Sequence, residues 1–295
     1  MFAITGITGQ VGGATARALL ESGLAIRAVV RDEARGAPWA RRGAEIAIVS
    51  DFQDSAALQA AFTGVEGVFV MIPPSFAPAE GFPEARAILA SVRRALAAAA
   101  PPKIVCLSSI GAQRSSGLGL ITQLYLLEQE LGSLPMPSAF LRAGWFMENS
   151  AWDIDPALQT GEMASFLHPL DRAFPLVATA DVGRVAAETL QESWKGRRVL
   201  EIEGPRRYTP NEMATLLGEA LGRSVAVQAV PRDRWEALFQ SQGTAWPAPR
   251  MAMLDGFNSG WIEFEGGSAE HVLGKVGLEP VLQELAAAAR GARGA

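Results

Sequence analysis

Thr5-Gly6-Ile7-Thr8-Gly9-Gln10-Val11-Gly12 joins an apolar run, Phe2 to Thr5, to an amphipathic stretch, Val11 to Ser22, that Gly23 closes. The stretch reads T-G-x-x-G-x-x-G at the first strand–helix turn of a βαβ unit. Glycine permits positive φ there, and its missing side chain lets backbone N–H groups approach a pyrophosphate. The helix that follows points its positive end at the same anion. Gly6, Thr8, Gly9, Gln10, Val11 and Gly12 are therefore the expected cradle of a dinucleotide. The plainer alternative is a tight turn that packs a helix on a sheet; the βαβ setting favours the phosphate.

Outward from this loop, short apolar strands alternate with helices. Strands are expected at Ile26–Val30, Glu45–Ser50, Gly67–Ile72, Lys103–Ser108 and Ser138–Arg142, with helices at Ser55–Phe62, Pro83–Ala100 and Leu118–Leu131. Continuous apolar strands of this kind are buried on both faces. The fold class is α/β: a doubly wound parallel Rossmann sheet with a smaller C-terminal α/β cap. Residues 1–150 form the dinucleotide-binding part, to which 178–202 return; 151–177 and 203–295 form the cap. Thr209-Pro210-Asn211-Glu212 places Thr at the N-cap, Pro at the first helical position and Glu at the third, a capping box.

Composition narrows the chemistry. The chain has 295 residues and a net charge of −5, which gives no grip on nucleic acid or on an anionic membrane. One Cys, Cys106, excludes an internal disulfide. Two His far apart, His168 and His271, oppose a histidine metal cluster, so no metal is expected. His168, in a loop before Pro169, reads as a surface residue. The chain starts without a basic segment or long apolar run, and no stretch reaches spanning length, so a cytoplasmic protein is expected. Nothing in the composition opposes a homodimer.

The end of the second strand selects the dinucleotide. An acid there would bind the ribose 2′-OH of NAD; this chain has Arg31, with Arg35 one helical turn on. Guanidinium groups suit the extra phosphate of NADP, so NADPH is expected over NADH. A solvated helix start, with Asp32 and Glu33 offsetting the arginines, is the alternative. Asp51-Phe52, Met71-Ile72-Pro73 and Ser108 follow other strands at the same sheet edge, where such folds bind ligands.

The run Thr5–Gly12, Arg31, Ser108-Ser109-Ile110-Gly111-Ala112 and the segment Leu141 to Asn149 together resemble the NmrA-like, atypical branch of the short-chain dehydrogenase superfamily. Asp181 to Ala186 and Glu203-Gly204-Pro205 extend the resemblance over nearly the whole chain. It implies an NADP-binding Rossmann domain with a small domain closing a cleft over the nicotinamide. It also implies relatives among quinone reductases and among redox sensors that bind dinucleotides without turnover.

The superfamily's standard acid is a Tyr-x-x-x-Lys pair, and enumeration excludes it here. Gln129 follows Tyr125 by four residues and Glu212 follows Tyr208; Ala99, Gln191 and His271 precede Lys103, Lys195 and Lys275 by four. Tyr208 reads as a packing residue. Ser109 and Tyr125 are the remaining hydroxyl candidates for catalysis, and a serine alone orients rather than protonates. Glu148 is expected to pair with an arginine such as Arg142, and Asn149 to meet substrate or backbone. Trp145, Phe146 and Trp152 offer flat apolar faces to a substrate, or else pack between the two parts of the chain.

A hydride acceptor that needs no tuned acid fits such a site, because water protonates the product of quinone reduction. Three readings stay open. The chain is an NADPH-dependent reductase of a conjugated planar acceptor such as a quinone, a non-catalytic NADP(H) sensor acting through a protein partner, or a biosynthetic enzyme of another reaction class.

Overall fold

The computed structural model describes residues 1–294. Its first half alternates as expected: β1 (Phe2–Ile4), α1 (Gln10–Glu21), β2 (Ile26–Val30), α2 (Glu33–Ala40), β3 (Glu45–Ile48), α3 (Ser55–Phe62), β4 (Gly67–Val70) and α4 (Pro83–Ala99). Then follow β5 (Ile104–Ser109), α5 (Thr122–Gly132), β6 (Ser138–Ala143), β7 (Trp145–Phe146), α6 (Ala151–Thr160), β8 (Glu162–Ser165) and β9 (Leu176–Val177). The chain ends through α7 (Thr179–Gln191), β10 (Arg197–Glu203), α8 (Pro210–Leu221), β11 (Ala226–Ala229), α9 (Trp235–Ser241), α10 (Ala248–Ser259), β12 (Glu270–Leu273) and α11 (Leu278–Gly294).

Eight strands form one sheet in the order β12-β10-β6-β5-β4-β1-β2-β3, and every pairing in it is parallel. Strand order reverses between β1 and β4, where Phe2 pairs with Ile26 on one side and Gly67 on the other. That switch point opens a crevice at the C-terminal strand ends, and the glycine loop borders it.

Both faces of the sheet are covered by apolar side chains. On one, Val11, Leu19, Val182, Val185 and Leu190 from α1 and α7 pack against Ile4, Phe69 and Leu141. On the other, Leu58, Leu89, Leu96, Leu127 and Leu131 pack against Val68, Ile104 and Phe140. The contact between α1 and α7 is close: a Cβ at Gly183 would lie 2.4 Å from Ala14 Cβ. A third cluster joins Phe174, Tyr208, Leu217, Phe257 and Leu282 to Ile110, Leu118 and Ile121, so it spans the expected boundary between the two parts of the chain.

The capping box of α8 forms as the residue types predict, with Glu212 N donating to Thr209 Oγ1 at 3.1 Å and Thr209 N to Glu212 Oε2 at 2.8 Å. Two features go beyond the sequence reading. Helix α10 lies where no helix was expected, its start masked by Pro247 and Pro249. Residues 178–202 return to the sheet, and Glu270–Leu273 returns as well, pairing with β10 as the edge strand. Among the described residues no helix is long and apolar enough to cross a membrane, and no group of His, Cys, Asp and Glu is placed to hold a metal.

Candidate active site

At the switch point the glycine loop is shaped by sterics. Gly6 has φ +61°. A Cβ on Gly12 would stand 2.3 Å from Gly6 O and 2.6 Å from Gly6 C, so only glycine allows the loop to fold back on the first turn of α1. Gly9 is the N-cap, and no side chain caps the helix. The first N–H groups of α1 thus lack both an intrahelical and a capping acceptor, as in an anion cradle. This arrangement fits a pyrophosphate. Thr8, Gly9 and Gln10 are exposed on its rim, while Val11 and Gly12 are buried beneath it.

Arg31 is exposed just past β2 and makes no ion pair among the described residues. Asp32 is occupied instead: it caps α2 by accepting from Arg35 N at 2.9 Å and pairs with Arg35 Nε at 3.3 Å. Of the two arginines, Arg31 is the one with an uncommitted guanidinium. Asp51 is exposed and accepts from Gln53 N at 2.8 Å, which shapes the turn after β3; half-buried Phe52 packs on the sheet core. Met71 is half-buried, its methyl group over Gly6, with Ile72 buried and Pro73 half-buried beyond it.

Below the end of β5 lies a charge network. Ser108, Arg142 and Glu201 sit side by side on three neighbouring strands. Ser108 Oγ donates to Glu128 Oε1 at 2.5 Å, and Arg142 forks onto both Glu128 oxygens at 2.9 and 2.8 Å. Arg197 adds a bond of 2.6 Å to Glu128, and Arg142 Nη1 reaches Glu265 at 2.6 Å. Burial opposes the charge on Arg142, but the Glu128 and Glu265 carboxylates bind its guanidinium and keep it charged more firmly than usual. Ser108 thus spends its hydroxyl on the network, and Ser109, half-buried, donates to Ile110 O at 3.1 Å. Cys106 is fully buried on β5, where burial pushes its thiol up.

Glu148 does not pair with Arg142, contrary to the expectation from sequence. It accepts instead from Thr179 N at 2.8 Å and Thr179 Oγ1 at 2.6 Å, capping α7, while its Oε2 is buried without a partner. Arg142 is drawn to the α5 face of the sheet by Glu128, which leaves Glu148 to the helix end. His168 is half-buried rather than a surface residue, its ring 6.2 Å from that of Trp235. Tyr208 is buried and accepts from Leu278 N at 2.9 Å, in keeping with a packing role. Tyr125 is half-buried and packs on the third cluster.

The aromatic trio separates in space. Trp145 stands edge-on to Phe257 at 5.3 Å, and Phe146 packs on the sheet core. Trp152 is exposed at the start of α6, where its ring meets that of Phe76. Asn149 is half-buried between them in sequence. Next to Trp152, burial pushes the Asp153 carboxyl up to about 7. Glu128, Phe76 and Asp153 escaped the sequence reading. Glu128 follows the rule that a buried arginine needs a carboxylate, but its partner lies fourteen residues away on another element.

A sequence profile of the NmrA-like family matches residues 1–245. Quinone oxidoreductase 2 of Escherichia coli (strain K12) is 28% identical over 245 residues, 82% of each chain. An NAD(P)H azoreductase of Xenophilus azovorans is 26% identical over 244 residues, again 82% of each. Among solved structures, an NADPH-dependent quinone oxidoreductase from Escherichia coli superposes with a TM-score of 0.75 at 26% identity, covering 97% of this chain and 99% of that one. A triphenylmethane reductase from Citrobacter sp. shares the fold, with a TM-score of 0.77 at 20% identity over 97% and 99% of the two chains.

Proposed function

The chain belongs to the NmrA-like family, and on that premise we propose that it is an NADPH-dependent reductase of conjugated planar acceptors such as quinones. The observation that carries this reading is the uncapped start of α1 behind Gly6, Gly9 and Gly12, with unpaired Arg31 beside it. The names of its relatives, quinone oxidoreductase and azoreductase, support the same acceptor class.

In this reading the N–H groups at Gln10 and Val11 hold the pyrophosphate, and Thr8 borders it. Arg31 binds the ribose phosphate, so NADPH is preferred to NADH, and Arg35 adds charge at the rim. Asp51 and Phe52 flank the adenine. Met71, Ile72 and Pro73 support the cofactor from the β4 side, and Ser108 shapes the site through Glu128. When bound, NADPH supplies the hydride. Trp145, Phe146, Asn149 and Trp152 line the acceptor's place, and Ser109 at the end of β5 and Tyr125 on α5 are the candidate hydroxyls beside it. The protein orients the acceptor and excludes competing poses, and the proton comes from water. A cytoplasmic location belongs to the same reading, supported by the lone, buried, unpaired thiol.

Stopped-flow or steady-state oxidation of NADPH with a panel of quinones and azo dyes tests it. Acceptor-dependent NADPH consumption is expected. Tight NADPH binding without consumption across the panel would overturn it in favour of a sensor.

A further inference from the structure

Phe76 and Trp152 are 58% and 62% exposed, two of the largest apolar side chains left in water. They come from segments far apart in sequence yet meet edge to face, with ring centroids 6.3 Å apart and planes at 86°. Phe76 belongs to the loop leaving β4 past Met71, and Trp152 to the first turn of α6. Both backbones are held. Buried Gln123 donates to Ser75 O at 3.0 Å, directly before Phe76. Buried Ser150 and Ile154 bracket Trp152 and fix its turn.

Two exposed rings in contact make a contiguous apolar patch, the kind of surface that receives an apolar partner. The partner's size follows from placement. Phe76 and Trp152 follow the ends of β4 and β6, the strands on either side of β5, whereas Trp145 and Phe146, as β7, come directly after β6 and before Trp152. In the reductase reading an acceptor ring at the strand ends meets Trp145 and Phe146 first. Only an acceptor with a second fused or conjugated ring extends to Phe76 and Trp152, where an aromatic plane stacks on one ring and meets the edge of the other.

We propose that Phe76 and Trp152 form an aromatic clamp for the distal ring of a multi-ring planar acceptor, so that the chain selects two- and three-ring acceptors over single-ring ones. This rests on the reductase reading and names its substrate class. The test uses the full chain loaded with NADP⁺, titrated in a calorimeter with 1,4-naphthoquinone and with 1,4-benzoquinone, alongside turnover with NADPH. Phe76→Ala and Trp152→Ala should each weaken naphthoquinone binding about tenfold, the upper range for an aromatic pair. Benzoquinone binding should change less than about twofold. Trp152→Phe should restore most of the loss, and Leu273→Ala, an exposed apolar side chain on edge strand β12, should change neither quinone. Equal losses for both quinones, no loss for either, or a wild-type chain that binds neither would overturn the clamp. Selective loss of binding in a chain that does not turn over would sustain the clamp and overturn the reductase.

Discussion

The hydroxyl of Thr5 accepts the Met71 N–H at 2.7 Å and faces the Phe69 and Met71 carbonyl oxygens at 3.1 Å each. One side chain therefore sews the exit of β1 to the exit of β4 across the switch point, where no further strand can do so. Thr5→Val keeps the shape and deletes the acceptor, leaving a buried N–H unpaired at a cost of about 1–3 kcal/mol. We expect a lower melting temperature and weaker NADPH binding, because the Met71 side chain covers Gly6. Unchanged NADPH affinity in a fluorescence titration would show that the tie serves stability alone.

Arg31 differs from Arg35 in having no carboxylate partner. Arg31→Ala should weaken NADPH binding by about 1.5–3 kcal/mol, the worth of hydrogen bonds to a charged group, and leave NADH nearly unchanged. Arg35→Ala should do less, since Asp32 already neutralises it. Equal losses for the two dinucleotides in parallel titrations would remove the 2′-phosphate contact.

Asp153 sets a pH dependence with a definite sign. Burial raises its carboxyl to about 7 in the fold, against about 3.9 for the unfolded chain. The folded state thus holds the proton more tightly, and the stability this adds is full below about pH 4 and lost as pH rises through about 7. Asp153→Asn cannot ionise. It should match the wild type near pH 4 and melt at a higher temperature at pH 8. A variant that melts with the same offset at both pH values would contradict the assignment.

Ala100 ends α4 with φ +45°, a left-handed conformation without glycine. Ala100→Gly removes a Cβ penalty of roughly 1–2 kcal/mol, less the entropy that glycine adds to the unfolded chain. The net gain should be read as a rise in the urea midpoint with an unchanged slope. A fall in the midpoint would mean that Ala100 makes contacts worth more than its strain.

What the sequence discloses divides along local and non-local lines. The glycine loop and the box at Thr209 and Glu212 are legible because their partners lie within a turn, so residue type and spacing carry the geometry. Glu128 and Arg142 are not, since α5 and β6 must first dock before the two side chains meet. The same limit misassigned Glu148, whose true partner Thr179 starts a helix thirty-one residues on. Trp145, Phe146 and Trp152 are neighbours in sequence and separate in space, because a turn at residues 147–150 swings the last into solvent. Strand β12 is short, mostly exposed and preceded by Gly266 and Gly267, and only its pairing with β10 makes it a strand.

The segment 261–266 is where the two parts of the chain lose their independence. Glu265 reaches Arg142 under the sheet, Glu201 accepts the N–H groups of Glu265 and Gly266 at 2.7 and 3.0 Å, and Gln113 donates to Glu263 O at 2.8 Å. A fragment ending at residue 202 would strip Arg142 of one carboxylate and Glu201 of its two backbone N–H donors, leaving Glu201 only its ion pair with Arg142. These ties predict that the two parts unfold as one cooperative unit. A calorimetric scan should show a single transition whose van't Hoff and calorimetric enthalpies agree, and cofactor binding to one half should raise the melting of the other by the same amount.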